Sequence, residues 1–217
     1  LDNPKRPLYA IIGGSKVSTK LTVLENLLTK VDGLIVGGGI ANTFLQASGC
    51  NMGASLVEAD LLPEAERLIK LAKERGVLLP LPVDAVVAPS LDRASEAVIK
   101  SVDQLDSQDS AFDIGPATVA SYAKILENAQ TIVWNGPVGA FETLPFDKGS
   151  KAIAELLAQS SAYALVCGGD TVAAVEAFGL ADKMGYLSTG GGAFLEVLEG
   201  KTLPAVSALA DAAAKYI

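Results

Sequence analysis

The sequence predicts an α/β domain built on a doubly wound, mostly parallel sheet of about six strands with helices on both faces. Three observations carry that expectation. Short, continuously apolar runs recur along the chain, stretches with helical spacing separate them, and glycine-rich turns stand where a run gives way to a helical pattern. A strand covered on one face alternates polar and apolar residues, whereas a strand buried on both faces reads as an unbroken apolar run. Strands and helices in alternation then give a parallel sheet.

The strand-like runs are Leu8 to Ile12, Gly33 to Val36, Val77 to Leu81, Thr131 to Trp134, Tyr163 to Cys167 and, more weakly, Gly185 to Leu187. After the first run, Val17, Leu21, Leu24 and Leu28 fall on one helical face; Leu61, Ala65, Leu68 and Ala72 do the same around the segment Pro63 to Arg75. The stretch from Pro80 to Asp113 is the least regular. It reads as an excursion holding a short strand near Asp84 to Ala88 and an exposed segment through Ser101 to Ser110, without a domain boundary. The alanine-rich end, Ala205 to Ile217, is expected to be a closing helix packed on the sheet. Residues 1–217 are thus read as one domain.

Composition narrows the function classes. A chain of 217 residues can bury a core without staples. Half of it is apolar and 19% is charged, which excludes a disordered chain, and no apolar stretch approaches the ~18 residues of a membrane span. The net charge of −8, with Lys and Arg scattered, opposes a nucleic-acid groove or a membrane-surface patch. Cys50 and Cys167 have neither metal-ligand spacing nor disulfide-scaffold density. Histidine is absent, so no Ser-His-Asp triad, Cys-His pair or imidazole metal site exists. The opening Leu1 to Pro7 reads as a polar, proline-marked junction rather than a leader, and a cytoplasmic location is expected.

Four glycine turns organise the candidate chemistry: Gly13-Gly14, Gly37-Gly38-Gly39, Gly168-Gly169 and Gly190-Gly191-Gly192. A turn without β-carbons lets the backbone approach an anion, and the following helix aims free N–H groups at it. One Gly-Gly after a strand is mostly a tight turn, but four at the carboxyl edge of one sheet point to an anion site, because open parallel sheets bind ligands there. Lys16 and Lys20 are expected one helical turn apart on a shared face, where two ammonium groups repel unless an anion joins them. Asp170 opens a helix, where it can act as an ordinary N-cap or, beside phosphates, as the single carboxylate that Mg²⁺ needs. Ser188-Thr189 and the fourth turn add hydroxyl and amide donors. In Trp134-Asn135-Gly136-Pro137-Val138-Gly139-Ala140-Phe141-Glu142, the glutamate is placed either to accept from ribose hydroxyls or to sit solvated in a loop. No GxxxxGK[ST] loop occurs, and Gly37-Gly38-Gly39-Ile40-Ala41-Asn42 lacks the third glycine of the dinucleotide fingerprint, so a P-loop ATPase is excluded and an NAD enzyme disfavoured.

The strings Gly13-Gly14-Ser15-Lys16-Val17, Leu34-Ile35-Val36-Gly37-Gly38-Gly39, Leu81-Pro82-Val83-Asp84, Asp113-Ile114-Gly115-Pro116, Trp134-Asn135-Gly136-Pro137-Val138-Gly139, Gly168-Gly169-Asp170-Thr171 and Ser188-Thr189-Gly190-Gly191-Gly192 occur in that order. Over essentially its whole length the chain resembles the C-terminal, nucleotide-binding domain of bacterial phosphoglycerate kinases. The resemblance implies reversible phosphoryl transfer between 1,3-bisphosphoglycerate and Mg-ADP. It implies that Lys16 and Lys20 meet the nucleotide phosphates and the transferring group, that Gly169, Gly191 and Gly192 offer amides to it, and that Asp170 holds Mg²⁺ with Thr171 beside the phosphates. Gly14, Gly37, Gly38, Leu56 and Phe112 would border the ATP or ADP, Asn135 and Pro137 would line it, and Glu142 would take the ribose. Two departures stand out: Cys167 replaces the first of three glycines before the aspartate, and Ala111-Phe112 replaces a Gly-Leu pair. The resemblance also implies a missing N-terminal half carrying the phosphoglycerate clamp and an arginine for the transition state, a parent that is monomeric, and a chain that binds nucleotide without turnover. A different reading is a stand-alone nucleotide-binding or structural module.

Overall fold

The fold is described from a computed structural model, which places residues 3–214. Strands β1 (Leu8–Ile12), β2 (Gly33–Val36), β6 (Thr131–Asn135), β7 (Tyr163–Cys167) and β8 (Tyr186–Ser188) form one sheet in the order β2-β1-β6-β7-β8. Every neighbouring pair in it is parallel. Strands β3 (Asp84–Ala88), β4 (Val98–Ser101) and β5 (Ser110–Ile114) form a separate antiparallel sheet in the order β4-β3-β5.

Helices cover both faces of the large sheet. Leu8, Ala10 and Ile12 of β1 join a core with α1 (Leu21–Leu27), α2 (Gly38–Ala47) and α3 (Leu62–Arg75), while Ile11 joins a second core with α4 (Pro116–Leu126), α5 (Lys148–Gln159) and α6 (Gly169–Ala177). Successive side chains of a strand point to opposite faces, so an unbroken apolar β1 feeds both cores. Helix α7 (Gly191–Leu198) returns to the first core through Leu198. From β1 the chain steps outward to β2 and later returns to lay β6 on the other side of β1. The carboxyl ends of β1 and β6 therefore border the switch point of a doubly wound sheet.

The large sheet has five strands rather than six. The run Val77 to Leu81 contributes one parallel bridge, Leu78 to Gly33, held by Leu78 N donating to Asp32 O (3.0 Å) and Leu34 N to Leu78 O (2.7 Å). Pro80 and Pro82 have no N–H to extend that ladder, and proline restricts the residue before it. The short strand at Asp84 to Ala88 is present, but the excursion around it is a whole antiparallel sheet. The segment expected to be exposed between Ser101 and Ser110 is pinned by Lys100, whose Nζ donates to Asp106 (2.9 Å) and to the buried Asp109 (2.6 Å).

Two helix expectations also change. Helix α1 begins at Leu21, so Val17 is buried but not helical. Helix α3 matches its signals: Pro63 lies in its first turn, and Gly76 ends it at φ 68°. Helix α8 (Pro204–Ala214) forms as expected but buries none of its residues against the described chain, and Leu209 remains 72% exposed. Alanine-rich composition gives helicity without much apolar area to dock. The remainder of that expected helix, residues 215–217, and the start of the opening junction, residues 1 and 2, lie outside the described residues. Among the described residues no helix is long and apolar enough to cross a membrane.

Candidate functional site

The switch point is closed by main chain. Gly13 follows β1, and its amide donates to Asn135 O at the end of β6 (2.9 Å). A β-carbon on Gly13 would run into the carbonyl oxygens of Gly136 and Pro137, so only glycine permits the first turn to lie this close to the loop after β6. The second turn packs in the same way. Gly38, at φ 63°, donates to Val138 O (3.0 Å), and a β-carbon there would meet Gly14 O. The second turn thus braces the first turn and the Pro137–Val138 loop, and its Gly37 amide is taken by Ile12 O (3.0 Å).

Lys20 lies beneath this layer. Its Nζ donates to Gly13 O (2.7 Å) and Asn135 Oδ1 (2.6 Å), while Asn135 Nδ2 donates to Cys167 O (3.0 Å). One lysine and one asparagine therefore tie the ends of β1, β6 and β7 together. Burial lowers the ammonium to about 8, against the opposing influence of Cys167 and Asp170. Lys16 is exposed in the loop before α1. The expectation that Lys16 and Lys20 share a helical face is overturned. Helix α1 starts after Lys20, because the polar side chains of Ser18 and Thr19 are spent on loop contacts, Ser18 to Glu58 and Thr19 Oγ1 to Lys16 O (2.9 Å).

The third turn places Gly168 at the N-cap of α6 with φ 91°, leaving Gly169 and Asp170 exposed in the first turn. Asp170 makes no side-chain capping bond, so the ordinary N-cap role falls to Gly168 instead. Thr171 is buried, and its Oγ1 accepts from Gly136 N (2.6 Å). Gly191 starts α7 close to the Gly168 Cα, and the space a side chain would take at Gly169 or Gly192 is open. Cys167 ends β7 as a regular strand residue, its Sγ donating to Trp134 O (3.2 Å). Burial raises its thiol to about 12, despite the hydrogen bond with Asn135 and the charge of Lys20, so it is an inert packing group.

Above this floor lies a cavity of about 350 Å³, bordered by Gly14, Ser15, Gly38, Gly39, Asn42, Leu56, Leu91, Ala111, Phe112, Pro137, Gly139, Ala140, Glu142 and Asp170. Seven expected residues meet there: Gly14, Gly38, Leu56, Phe112, Pro137, Glu142 and Asp170. Lys20, Gly37, Asn135 and Thr171 support it from behind, whereas Lys16, Gly169, Gly191 and Gly192 stand outside its lining. Leu91 and Asn42 were missed. Asn42 sits on a buried helix face, and Leu91 stands in the irregular stretch, where no periodicity marks it. The lining combines the apolar side chains Leu56, Leu91 and Phe112 with glycine backbone and two carboxylates, Glu142 and Asp170, the latter in the first turn of α6. A cavity of similar volume beside β4 offers Val98, Ile99, Pro116 and Val119 with Lys148 as its one charged lining residue, and no converging polar groups.

The donor set bears on a metal. No cluster of three or more Cys, Asp or Glu that could hold an ion is found among the described residues. Asp170 is a single exposed carboxylate with open space at Gly169 beside it. That fits Mg²⁺ brought with phosphate oxygens and keeping its waters, and does not fit an all-protein metal cage.

The family model for phosphoglycerate kinase matches residues 1–201. The chain is 59% identical over 213 residues to the phosphoglycerate kinase of Desulfovibrio desulfuricans, covering 98% of this chain and 55% of that protein. Against the Coxiella burnetii enzyme it is 54% identical over 216 residues, again covering 55% of the relative. The solved structure of the Coxiella burnetii kinase superposes with a TM-score of 0.93 over 97% of this chain and 54% of that one. The Pyrococcus horikoshii kinase, 30% identical, superposes at 0.76 over 94% of this chain and 52% of that one. The chain spans about half the length of the curated relatives it matches. On sequence and on fold alike, the chain belongs to the phosphoglycerate kinase family.

Proposed function

We propose that residues 1–217 form the adenine-nucleotide-binding half of a phosphoglycerate kinase, acting on 1,3-bisphosphoglycerate and ADP in glycolysis, with a cytoplasmic location and a monomeric parent. The observation that carries this reading is the cavity at the β1/β6 switch point, whose lining brings the apolar Leu56, Leu91 and Phe112 together with the glycine turns and Asp170.

In this reading the base slides between Leu56, Leu91 and Phe112, and Glu142 accepts from the ribose hydroxyls. Gly14, Gly38 and Pro137 give a floor without protruding side chains. Lys16, free in solvent, folds over the phosphates, while Lys20 neutralises charge from beneath the first glycine turn. Asp170 would hold Mg²⁺, which supplies charge neutralisation on the phosphate oxygens. Gly169, Gly191 and Gly192 line the way by which a phosphoryl group leaves, with amides and no side chains to block it. An acyl phosphate and a carboxylate exchange a phosphoryl group without moving a proton, so a histidine-free site needs no general base.

What the chain lacks is an arginine at the transferring group. Arg6 pairs with Asp32 (2.8 Å), Arg67 with Glu25 (2.9 Å) and Glu64 (2.5 Å), and Arg93 with Glu96 (2.5 Å), while Arg75 closes α3; none of the four lines the cavity. An arginine on a transferring phosphoryl group is worth about 10³ to 10⁵ in rate, so residues 1–217 alone bind nucleotide without turnover, and the half of the relatives that they do not span is their partner. Calorimetric titration with ADP tests this, with and without Mg²⁺ and with NAD as comparator. Saturable ADP binding that responds to Mg²⁺ and weakens in Asp170→Ala is expected; NAD binding, or ADP binding indifferent to Asp170, would overturn it.

A further inference from the structure

We infer that Glu58 is a positioning residue: its carboxylate straps the lysine-bearing turn to the segment that carries the Leu56 wall. The inference rests on the nucleotide reading above. Residues 13–20 belong to no helix or strand, yet they carry both lysines. Midway between Lys16 and Lys20, Ser18 is held twice by one side chain, Ser18 N donating to Glu58 Oε2 (3.0 Å) and Ser18 Oγ to Glu58 Oε1 (2.5 Å). Each oxygen of the carboxylate thus takes a hydrogen bond from Ser18 across 40 positions of chain. Charge-assisted bonds in a paired geometry fix orientation as well as distance.

The other end of the strap is anchored independently. Glu58 N donates to Thr43 Oγ1 (3.2 Å), Thr43 Oγ1 donates to Gly39 O (2.9 Å), and Asn42 Nδ2 donates to Leu56 O (3.3 Å). Residues 56–58 are therefore fastened to buried α2 by groups that a change in the Glu58 side chain leaves in place. What that side chain adds is a hold at Ser18 on the middle of the turn, whose two ends are already fixed by Gly13 and Lys20. Partial burial works to raise its carboxyl, but hydrogen bonds from Ser18 and Val17 and the charge of Lys16 outweigh this and hold it below the usual range.

The sign of the effect separates a strap from a bare charge. A negative group beside a phosphate site repels phosphates, so deleting a mere charge tightens ADP binding. Deleting a strap loosens it, because the bound state must then pay to order the turn. Calorimetry on the wild-type chain, Glu58→Ala, Glu58→Gln and Ser18→Ala, with Mg-ADP and with adenosine, reads the difference. Glu58→Ala should weaken Mg-ADP about tenfold and adenosine less than about twofold. Glu58→Gln, which keeps an acceptor for Ser18, should retain most of the affinity, and Ser18→Ala combined with Glu58→Ala should be no weaker than Glu58→Ala alone. Mg-ADP affinity that is unchanged or tighter in Glu58→Ala, or an equal loss for both ligands, overturns the strap. A wild-type chain that binds neither ligand overturns the nucleotide reading, and the strap with it. Circular dichroism on each variant assigns any general loss to unfolding, in which case Glu58→Gln and Ser18→Ala carry the comparison.

Discussion

Two parts of the cavity lining are built from different material. The floor at the β1/β6 crevice is main chain: glycine turns stacked on one another, with Lys20 and Asn135 stitching three strand ends from below. The other part is side chain: Leu56 rises from a loop, Leu91 from a 3-10 turn and Phe112 from the small antiparallel sheet, and Leu56 is 52% and Leu91 43% exposed. A backbone floor tolerates almost no change, because a misplaced carbonyl cannot rotate away. A wall of loop side chains repacks. The first part is therefore expected to be intolerant and specific for anions, the second permissive and adjustable.

The sharpest way to break that contrast is to add one carbon to the floor. Gly13→Ala forces a β-carbon against two carbonyl oxygens that are themselves held in the loop after β6, and it should destabilise the chain by about 3 kcal/mol or prevent folding. Gly192→Ala, where a β-carbon meets open space, should cost less than about 1 kcal/mol, the propensity of alanine in α7 offsetting any loss. Urea unfolding of the two variants gives the ratio directly. Equal costs would mean that the floor relaxes as readily as the helix start and that the stacked turns are not rigid.

A titration sharpens the same comparison. On the side of the small sheet, burial raises Asp113 to about 8; hydrogen bonds from the Gly149 and Ile114 amides oppose the shift and Asp147 adds to it. Its folded pKa lies above the unfolded value, so its contribution is fully present below pH ~4 and is lost as pH rises toward 8. Lys20 behaves oppositely. Its folded value of about 8 lies below the ordinary 10.5, so the cost of its burial is full below pH 8 and is relieved above it. Cys167, raised to about 12, works against that relief above pH ~9, which leaves pH 8 to 9 as the clean window. Stability in urea should fall from pH 5 to 8 by roughly 2 kcal/mol and then level or rise. Asp113→Asn should flatten the first slope and Lys20→Met the second. If one variant removed both slopes, the two parts would not titrate independently.

How legible each part was follows from the same difference in material. The floor announces itself in the sequence because Gly13, Gly37 and Gly38 leave no room for a β-carbon and Gly14 and Gly168 take positive φ. Gly13-Gly14, Gly37-Gly38 and Gly168-Gly169 each follow an apolar strand run, and the fold places all of them at the carboxyl edge of the large sheet, on β1, β2 and β7. What spacing misled on was Lys16 and Lys20: four residues apart suggests a helical face, but helix entry is decided by where Ser18 and Thr19 spend their hydroxyls, which is a tertiary matter. The wall was scarcely legible. Strand β4 is an exposed edge of four residues, and β3 and β5 are joined through a register shift at Val86/Val87, so neither gives a clean period. Leu56 and Phe112 came from resemblance alone, and Leu91 from nothing. The missing sixth strand has a plain cause in Pro80 and Pro82, whereas the undocked α8 shows that helix propensity and packing are separate questions.

The smallest effect is expected at the wall, where Phe112 replaces the leucine that the resemblance implies. Its ring lies 5.0 Å from that of Phe146, tilted by 47°, and Phe146 is fully buried behind it. Such a pair contributes about 1 kcal/mol beyond the area it buries. Phe112→Leu should therefore lower stability by about that amount, because Phe146 loses its aromatic partner while the apolar surface is largely kept. The same change removes a ring from the rim of the cavity and widens the slot. Under the nucleotide reading, calorimetry should show adenosine and ADP affinities shifting together and by less than about threefold, since the substitution touches the shared base and leaves the glycine floor alone. A shift confined to ADP would place Phe112 in contact with the phosphate end, and the division of the cavity into a backbone floor and a side-chain wall would have to be redrawn.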